Sequence, residues 1–183
     1  MKRHAIMIVL VGLMLGGDEH GSDAAKKERE KLNPPEGQVV LFKVRAKGVQ
    51  IYQCNAKGEW VFKAPEAELL DDKEQNIGKH YKGEAGPTWE AAADGSRVVG
   101  KVEKQAPAPK PDCIPWLLLK ANAHLGEGRF SKVTYIKRMD TEGGMMPTEK
   151  LTLADVGKEV RVPYKATYIF YREEEKPKKA KSG

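Results

Sequence analysis

Tyr164-Lys165-Ala166-Thr167-Tyr168-Ile169-Phe170-Tyr171 places Tyr164, Ala166, Tyr168 and Phe170 on one face of an extended chain. A period of two is the mark of a strand with one side on a core. Arg161-Val162-Pro163 leads into it. Upstream, Gly126-Glu127-Gly128 turns the chain into a further strand carrying Phe130, Val133, Tyr135 and Ile136. Ile114-Pro115-Trp116-Leu117-Leu118-Leu119 is the most apolar run outside the amino end. Its apolar residues are consecutive, which predicts a buried centre covered on both faces.

The same reading extends toward the start. Val40, Phe42, Val44 and Ala46 alternate with more polar neighbours, Lys47-Gly48 is read as a turn, and Val49 and Ile51 resume as the second arm of a hairpin. Asn55-Ala56-Lys57-Gly58 is a second turn before Trp60-Val61-Phe62, and Pro65 ends that run. Residues 66–72 are read as one helical turn or an irregular crossing. Thr88–Ala92 and Arg97–Val102 are short strands flanking Asp94-Gly95-Ser96, and 105–112, with Pro107, Pro109 and Pro111, is an extended connector. Short strands separated by turn signals at roughly ten-residue spacing imply an all-β fold, a single-domain antiparallel β-sandwich or barrel with long loops. Residues 37–172 form that domain.

The ends read differently. Lys2, Arg3 and His4 precede the apolar run Ala5–Leu15, closed by Gly16-Gly17, which is the pattern of a secretory signal. The run is shorter than the ~20 residues that span a bilayer. Ser22-Asp23-Ala24 supplies small residues for cleavage, so 1–24 is expected to be a signal peptide and 25–36 a linker broken by Pro34-Pro35. The expected location is secreted, periplasmic or extracellular, with no transmembrane segment in the mature chain. Residues 173–183 read as a basic disordered tail.

The chain of 183 residues carries 32 Lys and Arg against 26 Asp and Glu, a formal charge of +6. Much of the excess lies in the tail, at Lys176, Lys178, Lys179 and Lys181. No basic stripe interleaves with aromatics, so no nucleic acid partner is expected. Cys54 and Cys113 are an even pair, and in an oxidising compartment an even pair is expected to form a disulfide. No cofactor is expected: Gly126-Glu127-Gly128 precedes a strand where a dinucleotide fingerprint needs a helix, and there is no P-loop.

The chemistry-bearing groups concentrate between His80 and Ser96. His80, Trp89, Glu90, Asp94 and Ser96 lie among turn formers, where binding groups tend to sit, and they are the expected ligand-binding set. His80, Asp94 and Ser96 are the right types for a base, an orienting carboxylate and a nucleophile, but no G-x-S-x-G elbow is present. His80, Glu84, Glu90, Asp94 and His124 are metal-ligating types at no metal-binding spacing, so no metal is expected. Trp89 beside polar groups suits a sugar ring, and the plain alternative is a core indole.

Taken together, Gly48-Val49-Gln50-Ile51-Tyr52-Gln53-Cys54, Ala64-Pro65-Glu66-Ala67, His80, Gly86-Pro87-Thr88-Trp89, Asp94-Gly95-Ser96, Ile114-Pro115-Trp116-Leu117-Leu118, Thr141-Glu142-Gly143-Gly144 and Val162–Tyr171 resemble, in order and spacing, the secreted bacterial and fungal domain-of-unknown-function family 3455. The resemblance covers about Pro35 to Tyr171. It implies a secreted, β-rich single domain with no established activity. Some fungal members carry a malate dehydrogenase label, and this chain lacks the length and glycine fingerprint that activity requires. The family's second cysteine follows the Gly-Gly segment, near Lys150 here. This chain has Cys113 instead, so its bridge is expected to be Cys54–Cys113.

These readings converge on a secreted or envelope-associated β-domain acting as a non-catalytic binding module, with a glycan or another anionic cell-surface or extracellular polymer as partner. The alternatives are a small secreted hydrolase using His80 as general base with Asp94 orienting it, and a purely structural envelope protein.

Overall fold

The computed structural model describes residues 19–175. Most of the expected signal peptide and the tail from 176 onward lie outside the described residues.

Eight strands follow one another: β1 (Gln38–Cys54), β2 (Trp60–Leu70), β3 (Asn76–Gly83), β4 (Gly86–Ala91), β5 (Arg97–Ala106), β6 (Trp116–Leu125), β7 (Tyr135–Gly143) and β8 (Glu159–Glu173). Each pairs antiparallel with the next, and β8 returns to β1, so the sheet closes into a barrel. Closure pairs the backbone of what would otherwise be two sheet edges. Register shifts at Val40/Phe42, Ile51/Tyr52, Val99/Gly100 and Met139/Glu142 bend the long strands around the barrel. Of the two all-β architectures the pattern allowed, the chain adopts the barrel.

Alternation sorts the side chains. On β8, Tyr164, Ala166, Tyr168 and Phe170 are buried and point inward, with Val44, Ala46, Leu69, Val98 and Leu119 from other strands. Phe130 and Val133 are not on a strand. They belong to the β6–β7 connection, which folds back so that Phe130 meets Phe42 and Phe170, with centroids 5.7 and 5.1 Å apart. This aromatic cluster fills one end of the barrel.

Three local readings are corrected. Lys47-Gly48 is not a turn, because β1 runs straight through it. Gly48 lies where β1 and β2 cross so closely that a Cβ would stand 2.0 Å from the Glu66 carbonyl oxygen, so the glycine serves close approach rather than a reversal. Pro65 does not end a strand: it pairs with Gln50 inside β2, which continues through Glu66 to Leu70. The long connection before β8 contains only a short 3₁₀ turn, Leu153–Asp155, capped by Thr152.

From the end of the expected signal peptide into the stretch expected to be a linker, the chain forms α1 (Glu19–Lys31). Leu32, just past its end, is fully buried on the outer face of the barrel with Trp116, Leu118, Tyr135, Met139 and Tyr171. Lys137, itself buried, donates to the Arg29 carbonyl at 2.8 Å and to Asn33 Oδ1 at 2.9 Å. A cation on the last carbonyls of a helix satisfies groups that otherwise have no partner. Arg29 stacks 5.4 Å over Trp116 and pairs with Asp140 at 3.0 Å. Leu32 is the residue that docks the segment on the barrel.

The expected disulfide is absent: Cys54 and Cys113 are both free. Each is held by a separate backbone pairing. The Cys54 amide donates to Lys158 and its carbonyl accepts from Gly157, while Cys113 forms a bridge with Gly144.

Candidate functional site

The β1–β2, β3–β4, β5–β6 and β7–β8 connections all lie at one end of the barrel, opposite the phenylalanine cluster. At that end a cavity of about 540 Å³ reaches into the barrel, lined by residues that include Gln50, His80, Trp89, Leu119, Arg138 and Tyr168. The volume lies within the range of small-molecule sites. Leu117, Leu119, Ile114, Pro87 and Val102 make much of the wall apolar.

His80 on β3 and Trp89 on β4 are directly paired across the sheet, and their rings stack with centroids 4.3 Å apart and planes 12° from parallel. Gly100 on β5 makes room for the indole: a Cβ there would come within 3.0 Å of Trp89 Cζ3. Tyr168 meets both rings edge-on, at 5.2 Å from His80 and 5.3 Å from Trp89. His80 Nδ1 lies 2.9 Å from the Thr88 carbonyl oxygen, which can only accept. Nδ1 therefore carries the proton, and Nε2 is the ring's acceptor. Burial drives the His80 pKa down to about 3, with the nearby Arg138 charge acting in the same direction and the Thr88 contact opposing, so the imidazole is neutral at ordinary pH.

The rest of the polar lining is under-satisfied. Gln50 Nε2, Trp89 Nε1 and the Tyr168 hydroxyl line the cavity, buried and without a well-formed hydrogen bond among the described residues; the Tyr164 hydroxyl, likewise buried, lies close to Gln50 and Tyr168. Burial raises the pKa of both tyrosines, Tyr164 far above the ordinary phenol range, so both hydroxyls keep their protons and remain donors. Arg138 on β7 directs Nε and Nη2 to the Pro115 carbonyl, at 3.1 and 2.9 Å. Among the described residues no carboxylate pairs with it. The mouth is shaped by two connections tied together: Tyr52 donates to the Gly144 carbonyl at 2.6 Å, Thr141 donates to the Ile114 carbonyl at 2.7 Å, and the Ile114 amide donates to Gly143. Phe62, Met145, Met146 and Leu153 leave apolar surface exposed on these end segments.

The five expected site residues are divided. Only His80 and Trp89 line the cavity. Glu90 is on the opposite face of β4, where it accepts from Tyr81 at 2.7 Å and pairs with Lys79 at 3.3 Å. The Tyr81 bond holds its carboxyl below the usual range, with Lys79 assisting. Asp94 and Ser96 lie at the closed end. Asp94 accepts from the amides of Ser96 and Arg129 at 2.9 and 3.0 Å, and Ser96 Oγ accepts from the Phe130 amide at 3.2 Å. These bonds seat the loop that carries Phe130. His124, at the same end, places Nε2 2.7 Å from the Val133 carbonyl. Among the described residues no three His, Cys, Asp or Glu side chains converge to hold a metal.

Sequence reasoning missed Gln50, Arg138, Tyr164 and Tyr168. The available signal was parity. Gln50 continues the inward series Val44, Ala46, Gly48, and Arg138 lies two residues past the inward Ile136, so each is a polar side chain on a core-facing position.

No curated protein and no solved structure matches the chain. The model of the family described as protein of unknown function (DUF3455) matches residues 34–172, all of the barrel but the last residue of β8 together with the turn that precedes it, and the chain belongs to that family.

Proposed function

We propose that this protein is a non-catalytic binding module that takes a small, largely apolar organic molecule into the open end of its barrel. One observation carries the reading: a cavity of about 540 Å³ whose apolar wall is broken by Gln50 Nε2, Trp89 Nε1 and the Tyr168 hydroxyl, all buried and none making a hydrogen bond of good geometry among the described residues. A buried donor with no acceptor costs roughly 1–3 kcal/mol, and a ligand supplying the acceptor recovers it. A protein built only to stand as a scaffold has no reason to keep three such groups around one void.

A small molecule is favoured over a polymeric glycan because Phe42, Phe130 and Phe170 close the far end and leave no path for a chain to run through. The hydrolase alternative loses its orienting group, since Asp94 accepts from the Ser96 and Arg129 amides at the closed end while His80 faces the cavity with Nδ1 on the Thr88 carbonyl. A location outside the cytoplasm accompanies the proposal, on the strength of the basic and apolar amino end.

The test is binding of the neutral fluorophore N-phenyl-1-naphthylamine, followed by its emission and by quenching of tryptophan fluorescence. Saturable binding that is weakened by filling the cavity with Leu119→Trp, in a variant that keeps its β-sheet circular dichroism, supports the reading. Absence of saturable binding overturns it.

A further inference from the structure

The cavity lining contains two cationic side chains, Lys82 and Arg138, and not one carboxylate. Arg138 stands well inside. Its charge bears on Tyr52, His80, Tyr164 and Tyr168 alike, which places the guanidinium among the inward groups of β1, β3 and β8. Arg138 is half-buried, and even partial removal of a guanidinium from water without an anion is costly, so proteins ordinarily pair it. Here the described residues offer it the Pro115 carbonyl and the adjacent Tyr168 hydroxyl, and no carboxylate.

The direction of that contact matters. Guanidinium has five N–H donors in a fixed plane. Nε and Nη2 together chelate the Pro115 oxygen, so the side edge of the fork is used. The end edge, formed by Nη1 and the second Nη2 hydrogen, is left over, and it matches the two oxygens of a carboxylate. The neighbouring groups that lack a well-formed hydrogen bond, Gln50 Nε2, Trp89 Nε1 and the protonated Tyr168 hydroxyl, can all donate. A ring of donors around an unpaired cation recognises an acceptor-rich anion. The apolar wall of Ile114, Leu117 and Leu119 recognises the body that carries it.

We propose that the cavity is a site for an organic carboxylate with an apolar body, its carboxylate held end-on by Arg138 and supported by Gln50 and Tyr168. This rests on the small-molecule reading above and names the ligand class. His80 stays neutral and offers Nε2 as the one ring acceptor, for a hydroxyl or amide hydrogen on the ligand body.

The test uses the full chain and displacement of N-phenyl-1-naphthylamine by three chain-matched compounds: decanoate, decanol and decylamine. Decanoate should displace the probe at least about tenfold more effectively than decanol, the size of one charge-assisted interaction, and decylamine should be the weakest. Arg138→Met should bring decanoate down to the level of decanol, the readout being the ratio of the two compounds on the same variant. Arg138→Lys, which keeps the charge but not the fork, should restore only part of the preference. Gln50→Leu should lower it by a smaller factor. Equal displacement by decanoate and decanol, or preference for decylamine, overturns the proposal even though the probe has entered. Failure of the probe to enter overturns the small-molecule reading and this proposal with it. The three-ligand comparison on unmodified protein decides the matter even if Arg138→Met does not fold.

Discussion

The imidazole of His80 lies flat on the indole of Trp89, 4.3 Å between centroids, with Nδ1 against the Thr88 carbonyl. The pair forms one wall of the cavity and is at the same time part of the barrel's packing. A histidine in that position cannot be charged without breaking into a buried aromatic stack.

That arrangement sets a pH dependence. The folded-state pKa of about 3 lies below the ordinary 6.5, so between those values the unfolded chain binds more protons than the native one. The stability His80 lends by remaining neutral is full above about pH 6.5 and is lost as pH falls toward 3. By pH 4 the loss from this group is about 3 kcal/mol. Urea unfolding at pH 7 and pH 4 should show it, and His80→Phe, which keeps a flat ring and removes the titration, should shrink the difference between the two pH values.

Ser96→Ala leaves the Phe130 amide without its acceptor in a fully buried position. The expected cost is about 1–3 kcal/mol, read as a lower urea midpoint, and Asp94→Ala should act in the same direction by releasing the Arg129 amide. Affinity for N-phenyl-1-naphthylamine should hold in both variants, since they lie at the far end from the cavity. A large loss of affinity with stability intact would show that these residues belong to the ligand site.

Gly48→Ala is predicted to be among the most damaging single substitutions. Its methyl group would stand 2.0 Å from the Glu66 oxygen and 2.5 Å from Ala67 Cα, both backbone, so relief requires parting β1 from β2. A loss of at least about 3 kcal/mol, or failure to accumulate as folded protein, is expected. A midpoint within experimental scatter of the parent protein would contradict the close strand crossing.

Leu32→Ala tests whether α1 belongs to the barrel. The side chain is fully buried among Trp116, Leu118 and Tyr171, and removing it should cost about 2–5 kcal/mol. Hydrogen exchange should quicken along α1 at the same time, because Leu32 and the Lys137 contacts to Arg29 and Asn33 anchor its end. An unchanged midpoint would make the helix an appendage.

Two free thiols predict a non-reducing intact mass with both cysteine hydrogens present. Iodoacetamide should label Cys113 in the native protein and Cys54 only on unfolding, because Cys113 is partly accessible while Cys54 is buried beneath Trp60 and burial raises its pKa. Only thiolate reacts, so both factors slow Cys54. A mass two hydrogens lighter would restore the disulfide.

Much of the fold is legible in the chain because strand alternation is a local property. Tyr164, Ala166, Tyr168 and Phe170 announce an inward face whatever they later meet, and the turn residues that separate the strands act over three or four positions. The misreadings occur where a residue's role depends on a distant partner. Gly48 and Pro65 look like punctuation, yet their positions are set by the β1–β2 pairing, and residues 25–36 look like a linker until Leu32 finds the outer face of β6, β7 and β8.

The site divides along the same line. Sequence by itself determined an all-β single domain, its family, and the concentration of His80, Trp89, Glu90, Asp94 and Ser96 in one short segment. It could not decide which of them face inward together, because neighbours on a strand point to opposite sides and the two ends of a hairpin lie at opposite ends of a barrel. Only closure of the sheet sends Glu90 outside and Asp94 and Ser96 to the sealed end. The same closure brings Gln50 of β1, Arg138 of β7 and Tyr168 of β8 to the stacked pair from β3 and β4. Those residues are separated by up to 118 positions in the chain, from Gln50 to Tyr168, and no local pattern joins them.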